Sequence, residues 1–273
     1  MNSITIDTKI CCKDGKCIEI CPIQLLRMND KGVPEFIQGG GETCINCGHC
    51  FAVCPTGALG LSGMDAKDAL VLDPAKLPSA EQVSLLLKGR RSIRCYKDEP
   101  LAKAAIVELL DAARYAPSGI NRQPVSWAVL SGKEKVRELA GLTANWIEKL
   151  LAAKDQTAIA FNLERLTKAW ENGKDLICRN APCVVTAYGV KDDPLVPASC
   201  VIAGTYFELA AFGSGLGACW DGYVNMAINA DAQIKKFVGL PSRATAGAVM
   251  LVGWPKYGYA RIPARNPAKT IWR

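Results

Sequence analysis

Histidine is nearly missing from this 273-residue chain, which contains only His49. Catalysis by Ser-His-Asp or Cys-His groups needs a histidine beside the nucleophile, and histidine-rich metal centres need several. His49 lies between Cys47 and Cys50, where we interpret it as a surface residue of a tight loop. The sequence therefore disfavours hydrolytic chemistry, and no side chain is predicted to act as a catalytic group.

Long apolar segments are also missing. The uncharged run from Pro194 to Phe207 stops at Glu208, short of the roughly 20 apolar residues that span a bilayer. The polar stretch from Met1 to Cys12 has neither the basic start nor the apolar core of a secretory signal. We therefore expect a cytoplasmic protein with no membrane contact.

Blocks of consecutive Lys or Arg are absent, although the formal net charge is +7. Residues 1–64 contain five basic and six acidic side chains, so the remainder contains 28 basic and 20 acidic ones out of totals of 33 and 26. A nucleic-acid-binding arm would concentrate its charge in a run. We therefore expect no nucleic-acid partner. The excess of positive charge suits an anionic cofactor and acidic redox partners.

Cysteine, by contrast, is abundant: eight of the 13 cysteines lie between positions 11 and 54. Without an export signal, such thiols are expected to be reduced and available to metal. Cys44, Cys47, Cys50, Cys54 and Pro55 form the pattern C-x2-C-x2-C-x3-C-P, in which three thiolates hold one iron–sulfur cluster and the fourth reaches a second. A zinc ribbon would need two C-x2-C pairs further apart. The pattern predicts a small bacterial-type ferredoxin domain with two clusters.

An earlier copy of this pattern departs from it at one position, because Asp14 stands where a cysteine is expected. With the crossover, four thiolates hold one cluster, from Cys21, Cys44, Cys47 and Cys50. The other cluster receives three, from Cys11, Cys17 and Cys54. Asp14 completes this site, or Cys12 does so from an altered loop, or the site holds a [3Fe-4S] cluster. We favour a [4Fe-4S] cluster completed by Asp14 or Cys12; alternatively, Asp14 is an ordinary turn residue.

The rest of the chain shows long helical patterns and a few β-type runs. Ser79 and Gln82 form a capping-box signature for a helix ending near Gly89. A second helix is predicted over 100–115, with strands over 127–130, 183–188 and 246–252. Further helices are predicted over about 133–140, 144–176, 199–212 and 231–238. Because strands and helices do not alternate regularly, the predicted class is α+β.

We predict three segments: a two-cluster ferredoxin domain over 1–63, a connector over 64–80 and a second domain over 81–273. The five cysteines of the second domain have no ligand spacing, and we interpret them as packing residues. They are Cys95, Cys178, Cys183, Cys200 and Cys219.

Two segments of the second domain contain polar groups suited to a phosphorylated cofactor. The segment RRSIR over 90–94 offers three guanidiniums and a hydroxyl, which match phosphate oxygens. The loop APSGINRQP over 116–124 is rigid and polar. The glycine run over 213–217 does not match G-x-G-x-x-G, so we reject a Rossmann nucleotide site there.

Five segments occur in the order found in flavin-dependent nitroreductases, and the chain resembles that family over most of its length. The segments are RRSIRCY, APSGINRQP, RNAPCVV, GSGLGACWDG and RIPARNP. The fusion to a ferredoxin module is also a known arrangement in the family. The resemblance implies a nitroreductase-type α+β domain that forms a homodimer and binds flavin mononucleotide (FMN).

The resemblance also implies roles for individual residues. The FMN phosphate and ribityl chain would be bound by Arg90, Arg91, Ser92, Arg94, Arg265 and Arg261. From the partner subunit, the flavin would be contacted by Pro117, Ser118, Asn121 and Gln123. Near the isoalloxazine ring would lie Gly217, Trp220, Asp221 and Gly222.

Clusters transfer single electrons, whereas flavin accepts one or two, so the predicted protein converts between the two modes. We predict an oxidoreductase that reduces nitroaromatics, quinones or similar small electron-poor acceptors with electrons from ferredoxin or NAD(P)H. The main alternative is a non-catalytic electron-transfer module that serves a protein partner. A nucleic-acid-binding protein with a structural cluster fits the net charge but not its distribution.

Overall fold

The computed structural model describes residues 1–273, which form two compact units. The first consists of Met1–Leu77 and Ile120–Arg122, and the second of Pro78–Gly119 and Gln123–Arg273. The change from one unit to the other at residue 77 lies within the predicted connector over 64–80. No sequence pattern predicted that Ile120–Arg122 belongs to the first unit. The grouping follows from hydrogen bonds made by Asn121, which are described below.

Short elements build the first unit around its cysteines. Its strands form two antiparallel pairs, β1 (Ile4–Ile6) with β4 (Leu59–Leu61) and β2 (Leu26–Met28) with β3 (Pro34–Phe36). Its helices are α1 (Lys16–Glu19), α2 (Gly40–Thr43) and α3 (His49–Ala52). Leu59 and Leu61 pack with the buried Cys17 and Cys50. The cysteines therefore belong to the core of this unit.

The duplicated cysteine motif is repeated in the backbone. Gly15 precedes α1 with φ of 75°, and Gly48 precedes α3 with φ of 76°. Two residues earlier in each copy, Lys13 and Asn46 are also left-handed, with φ of 57° and 51°. Left-handed conformation strongly favours glycine. The two copies therefore turn in the same way, which confirms the repeat predicted from the cysteine spacing.

An antiparallel sheet forms the centre of the second unit. Its strands are β5 (Ser126–Ser131), β6 (Cys183–Val190), β7 (Gly217–Trp220) and β8 (Ala244–Gly253), in the order β5-β6-β8-β7. Every pair is antiparallel. The three predicted strands and the α+β class are confirmed, while β7 was not predicted. The antiparallel pairing also agrees with the rejection of a Rossmann site at 213–217, since that site needs a parallel strand–helix–strand unit.

Helices cover both faces of this sheet, because residues of β6 and β8 alternate between two cores. Val184 and Leu251 face one core, whereas Val185 and Met250 face the other. Strands buried on both faces have apolar residues at almost every position. One face is covered by α6 (Lys133–Ala152), α7 (Gln156–Ala160), α8 (Glu164–Glu171), α10 (Gly222–Ala230) and α11 (Ala232–Phe237). The other is covered by α5 (Lys103–Ala113) and α9 (Val196–Gly213).

The capping box predicted at Ser79 and Gln82 is confirmed. Helix α4 (Ala80–Gly89) begins at Ser79, whose side chain accepts from the Gln82 amide while the Gln82 side chain accepts from the Ser79 amide. The next helix, predicted over 100–115, is α5, and it buries Ile106 and Leu109 as its periodicity indicated. The helices predicted over 199–212 and 231–238 correspond to α9 and α11.

The prediction of separate helices over 133–140 and 144–176 was wrong. Helix α6 continues through Gly141, where a Cβ would lie 3.2 Å from the Trp170 ring, so the glycine makes room for that ring. The chain instead breaks at Lys154 and again at Asn162, which have φ of 51° and 48°. Helix α7 starts at Asp155, whose carboxylate caps it.

By length and composition alone, one helix is able to cross a membrane: α9, with a mean hydropathy of 1.3. Residues on its inward side, such as Phe207 and Ala211, are buried in the core. It also carries the buried carboxylate of Glu208. A core helix of a folded domain passes the same test of length and composition.

Candidate functional site

Four thiols line one cavity of the first unit, those of Cys21, Cys44, Cys47 and Cys50. This is the set that the crossover predicts for one complete cluster. Apolar side chains, among them Leu26 and Phe36, form the rest of the wall. The donor set and the apolar wall fit a [4Fe-4S] cluster, which takes one thiolate for each iron.

A second cavity gathers the remaining candidates: Cys11, Cys12, Asp14, Cys17 and Cys54. Asp14 occupies the backbone position of Cys47 in the other copy, because each residue directly precedes a left-handed glycine. The Asp14 carboxylate is 3.0 Å from the Lys16 ammonium, and this hydrogen bond lowers the pKa of Asp14. Asp14 is therefore ready to act as an anionic ligand, and Cys12 lines the same cavity.

Neither cavity is arranged for a single ion, since no three His, Cys, Asp or Glu side chains of the chain converge on one point. A cluster needs ligands spread around a four-iron body rather than gathered on one ion. Around the first cavity, the Leu25 amide donates to Cys21 Sγ at 3.4 Å. Such bonds to sulfur orient a ligand and tune a bound cluster.

The loop between Cys44 and Cys47 is held by a residue distant in sequence. The side-chain amide of Asn121 donates to the carbonyl oxygens of Ile45 at 3.1 Å and Asn46 at 2.9 Å. These bonds explain why Ile120–Arg122 groups with the first unit. The resemblance implies that Asn121 contacts the flavin of the partner subunit, whereas in the structure its side-chain amide donates to two carbonyls of the cysteine loop.

In the second unit, Arg90 is anchored by a buried carboxylate. Arg90 Nη1 lies 2.9 Å from Glu208 Oε1, and Glu208 Oε2 accepts from Trp220 Nε1 at 3.1 Å. The Glu208 side chain is 6% exposed and that of Arg90 is 33% exposed. The arginine thus neutralises a buried charge and still presents part of its guanidinium to solvent.

Its neighbour Arg91 donates from Nη2 to the Lys88 carbonyl, while its Nε is buried without a hydrogen-bond partner. A buried donor without a partner is costly, and a bound anion would satisfy it. Ser92 directly follows Arg91 in the same segment. This arrangement fits the phosphate of FMN.

Arg94, Trp220, Asp221 and Gly222 line one cavity of about 640 Å³. Arg261 lines another cavity, with Gly89 and Ile93. Arg265 is exposed and donates to the Ala264 carbonyl. Gly217 packs on Ile93, since a Cβ there would lie 2.5 Å from Ile93 Cγ1.

Asp221 is the buried acid of the 640 Å³ cavity. Its Oδ1 accepts from the amides of Tyr223 and Val224 at 3.1 Å and caps α10, while its Oδ2 is buried without a partner. Burial raises the pKa of Asp221 to about 7, although the two amides lower it. The carboxyl group can therefore hold a proton near neutral pH, and Oδ2 fits a polar ligand atom.

The loop predicted to reach a partner subunit lines a third cavity, formed by Pro117, Ser118 and Gln123 beside α5 and α9. Ser118 Oγ accepts from the Gln123 amide at 2.8 Å. Ile120, Asn121 and Gln123 all have positive φ, between 46° and 54°. For a β-branched residue such as Ile120 this conformation is strained, so the loop is held by its contacts. Within one chain, this loop lines a different cavity from that of Arg94 and Asp221.

Sequence reasoning missed further residues of the Asp221 cavity. Arg179 occurs in the motif RNAPCVV but was given no role, and it lines this cavity with Arg165 and Tyr223. Arg165 Nη2 donates to the Tyr223 hydroxyl at 2.6 Å. Only the fold brings these two residues together, and no motif marks them. Glu208, an acid within an apolar helix, did carry a signal, because a charge there needs a partner.

Comparisons with known proteins agree with this geometry. The nitroreductase family model matches residues 87–254, and that of the 4Fe-4S dicluster domain matches residues 10–58. An uncharacterized ferredoxin of Methanocaldococcus jannaschii is 33% identical over 98 residues, which cover 34% of this chain and 62% of that relative, less than two thirds of its length. A putative NAD(P)H nitroreductase of Bacillus subtilis is 24% identical over 66% of this chain and 90% of its own length.

Solved structures show the same fold for the second unit. A nitroreductase with bound FMN from Desulfitobacterium hafniense aligns with a TM-score of 0.56 and 21% identity over 71% of this chain and 100% of its own. A nitroreductase with bound FMN from Bacteroides fragilis aligns with a TM-score of 0.55 and 21% identity over 70% of this chain and 97% of its own. Since the family match covers more than half of the sequence, the chain belongs to the nitroreductase family of flavin oxidoreductases and carries a 4Fe-4S ferredoxin domain before its nitroreductase domain.

Proposed function

We propose that this protein uses two iron–sulfur clusters and FMN to reduce a small electron-poor acceptor, such as a nitroaromatic or a quinone. The observation that carries the proposal is the presence, in one chain, of two thiol-lined cavities and a nitroreductase domain. We place the protein in the cytoplasm, because iron–sulfur clusters need reduced thiols and the cytoplasm keeps cysteines reduced. The electron donor is a ferredoxin or NAD(P)H.

For the clusters, we assign one [4Fe-4S] to Cys21, Cys44, Cys47 and Cys50. We assign the other to Cys11, Cys17 and Cys54, with Asp14 as its fourth ligand. The support for Asp14 over Cys12 is its place at the backbone position of Cys47. A [3Fe-4S] cluster at this second site is the alternative if Asp14 does not bind iron.

For FMN, we assign the phosphate to Arg90, Arg91 and Ser92, with Arg261 and Arg265 contributing from the C-terminal segment. The unsatisfied Nε of Arg91 supports this placement. Arg94 and the turn from Trp220 to Gly222 belong near the isoalloxazine ring, with Gly217 supporting them through Ile93.

We further propose a homodimer with two FMN. Pro117, Ser118 and Gln123 line a different cavity from Arg94 and Asp221, which suits residues that serve the partner's flavin. Apolar side chains also remain exposed on α9 and in the C-terminal segment, including Tyr206, Phe212 and Trp272. For Asn121, the bonds to Ile45 and Asn46 favour a role at the cysteine loop instead.

When bound, FMN supplies the redox chemistry by accepting and passing on one or two electrons. The residues of the chain bind and orient FMN. The arginines neutralise its phosphate, and Asp221 Oδ2 offers a hydrogen-bonding position in the cavity. Solvent supplies protons, which agrees with the near absence of histidine.

The test is reduction of the anaerobic holoprotein by NADH, NADPH and reduced ferredoxin, followed at the flavin absorption band, and then oxidation by a panel of nitroaromatics and quinones. We expect one donor to reduce the flavin and at least one small acceptor to reoxidise it catalytically. Reoxidation only by a protein partner would instead support the electron-transfer module.

A further inference from the structure

The 118–123 loop is closed at its base in the second unit. Ser118 Oγ accepts from the Gln123 amide at 2.8 Å. Gly119 packs so closely on Leu195 that a Cβ there would lie 2.8 Å from Leu195 Cδ2. Both ends of the loop are therefore fixed on the nitroreductase domain.

The tip of this loop belongs instead to the first unit. Asn121 donates to the carbonyl oxygens of Ile45 and Asn46, which lie between Cys44 and Cys47. These two cysteines line the four-thiol cavity, whereas no residue over 44–47 lines the other thiol cavity. Asn121 is therefore bonded to the backbone of the four-thiolate site.

The backbone of the 118–123 loop is strained. Ile120 and Gln123 both have φ of 46°, in the left-handed region that such residues seldom adopt. Strained residues persist only where their surroundings hold them, and they concentrate at functional sites. The strain indicates that the placement of this loop against the cysteine loop serves a function.

The loop is also short. Gln123 lies two positions after Asn121, which limits the distance between their Cα atoms to about 7 Å. Electron transfer slows steeply as two redox groups move apart. A flavin that touches Ser118 and Gln123 is therefore reached most directly through the cysteine loop that Asn121 binds.

We propose that the four-thiolate cluster of one subunit reduces the FMN whose phosphate is bound by the partner subunit, with Asn121 as the positioning residue between them. The inference rests on the proposed function, in which Ser118 and Gln123 serve the partner's flavin, and it adds the route of the electrons. The cluster passes on one electron at a time, and FMN takes up two electrons in turn with protons from solvent.

The cluster at Cys11 supplies the second electron. Cys50 and Cys54 are four positions apart and line different cavities, and the same is true of Cys17 and Cys21. The two clusters are thus joined by short segments of chain. In this route the donor reduces the Cys11 cluster, which in turn reduces the four-thiolate cluster.

Hydrogen exchange of the oxidised, FMN-loaded holoprotein tests the role of Asn121, measured by mass spectrometry of peptides that cover 118–123. The matched control for Asn121→Ala is Asn2→Ala, because Asn2 Nδ2 donates to the Cys44 carbonyl at 2.7 Å. Each substitution removes one side-chain amide from the cysteine loop. We expect faster exchange over 118–123 in Asn121→Ala only. Exchange unchanged in Asn121→Ala, or raised equally in both variants, would rule out the positioning role.

Two heterodimers with the same substitutions test which flavin is reduced. Cys44→Ala with Cys47→Ala removes the four-thiolate cluster, and Arg91→Ala with Arg94→Ala removes FMN. In the split heterodimer, one subunit has the cysteine substitutions and its partner has the arginine substitutions. In the one-sided heterodimer, one subunit has all four and its partner is wild type. Two affinity tags isolate each species, and iron and flavin analyses verify that their contents are equal.

Reduction by reduced methyl viologen is followed anaerobically at the flavin band. A homodimer with the cysteine substitutions in both subunits gives the direct rate between donor and flavin. We expect the split heterodimer to keep the faster phase of the wild type and the one-sided heterodimer to lose it. Asn121→Ala should slow this phase, and Asn2→Ala should not.

A fast phase only in the one-sided heterodimer would mean transfer within one subunit and would overturn the inference, as would equal rates in the two heterodimers. If the split heterodimer keeps the fast phase but no small acceptor reoxidises the flavin, the route stands and the proposed function fails.

Discussion

Arg90 and Glu208 form an ion pair of 2.9 Å in which the glutamate is almost fully buried. They lie 118 residues apart in sequence, one in the predicted phosphate-binding segment and the other within an apolar core helix. Trp220, at the end of β7, hydrogen-bonds to the same carboxylate. The segment that is expected to bind phosphate is thus tied to the sheet.

Arg90→Ala should therefore affect both FMN binding and the stability of the fold. It should weaken FMN binding by about 1.5–3 kcal/mol through loss of a charged phosphate contact. It should also lower the free energy of unfolding by up to about 3 kcal/mol, because Glu208 is left buried and unpaired. Flavin fluorescence titration and anaerobic denaturation of the FMN-free protein measure the two effects separately.

The double variant Arg90→Ala with Glu208→Gln separates the two roles, since glutamine carries no charge and can still accept from Trp220. Its stability should recover while its FMN affinity stays low. Arg94→Ala should weaken FMN binding to a similar extent without the loss of stability. Full flavin occupancy in both arginine variants would show that FMN binds elsewhere.

A second prediction concerns Asn121. In Asn121→Ala, the carbonyls of Ile45 and Asn46 lose both hydrogen bonds, so the loop between Cys44 and Cys47 should loosen. We expect faster loss of iron from the cluster at Cys21, Cys44, Cys47 and Cys50, measured by the decay of visible absorbance in the presence of an iron chelator. Ser118→Ala serves as the control, because Ser118 bonds to Gln123 in the same segment. Equal rates in the two variants would refute this role.

A third prediction distinguishes the two clusters. With only three thiolates in its predicted ligand set, the Cys11 site should lose iron first under limited oxidation and give a three-iron signal in electron paramagnetic resonance. Asp14→Cys should suppress that signal, since it restores the fourth thiolate at the backbone position of Cys47. If Cys12 is the ligand, Cys12→Ala should destabilise the cluster and Asp14→Ala should not. A cluster unchanged by either substitution would point to an intrinsic [3Fe-4S] cluster or a solvent ligand.

The fourth prediction follows from the pKa of Asp221, which burial raises to about 7 from an ordinary value of 3.8. Between these values the folded protein binds a proton that the unfolded chain has lost, so stability falls as pH rises through that window. The charge of Asp175 raises the pKa of this carboxyl group further, whereas the charge of Arg179 lowers it. Relative to Asp221→Asn, the wild type should lose at most about 1.4 kcal/mol per pH unit.

Anaerobic denaturation of the FMN-free protein between pH 5 and 8 tests this. The difference in unfolding free energy between wild type and variant should change up to about pH 7 and then level off. A difference that is constant over the range would mean that Asp221 is already ionised at pH 5.

The sequence predicted best what is encoded locally. Cysteine spacing predicted which cysteines line each of two separate cavities, and the Ser79 capping box predicted the start of α4. The three-residue strands of the first unit were missed because they are too short to show a period. The Arg165–Tyr223 pair was missed because the two residues lie 58 positions apart in sequence and only the fold brings them together. Likewise, the partner of Asn121 could not be predicted, since a polar loop residue has no pattern that identifies the carbonyls it binds.

The burial of four cysteines in the second unit has a consequence for covalent labelling. Cys178, Cys183, Cys200 and Cys219 are buried, and burial raises the pKa of each, to about 12 for Cys183 and about 11 for Cys200. Alkylating reagents attack the thiolate, so the folded protein should be modified at the exposed Cys95 first. Mass spectrometry of the alkylated holoprotein would then show one adduct if Cys12 binds iron and two if it does not, with Cys95 as the internal standard.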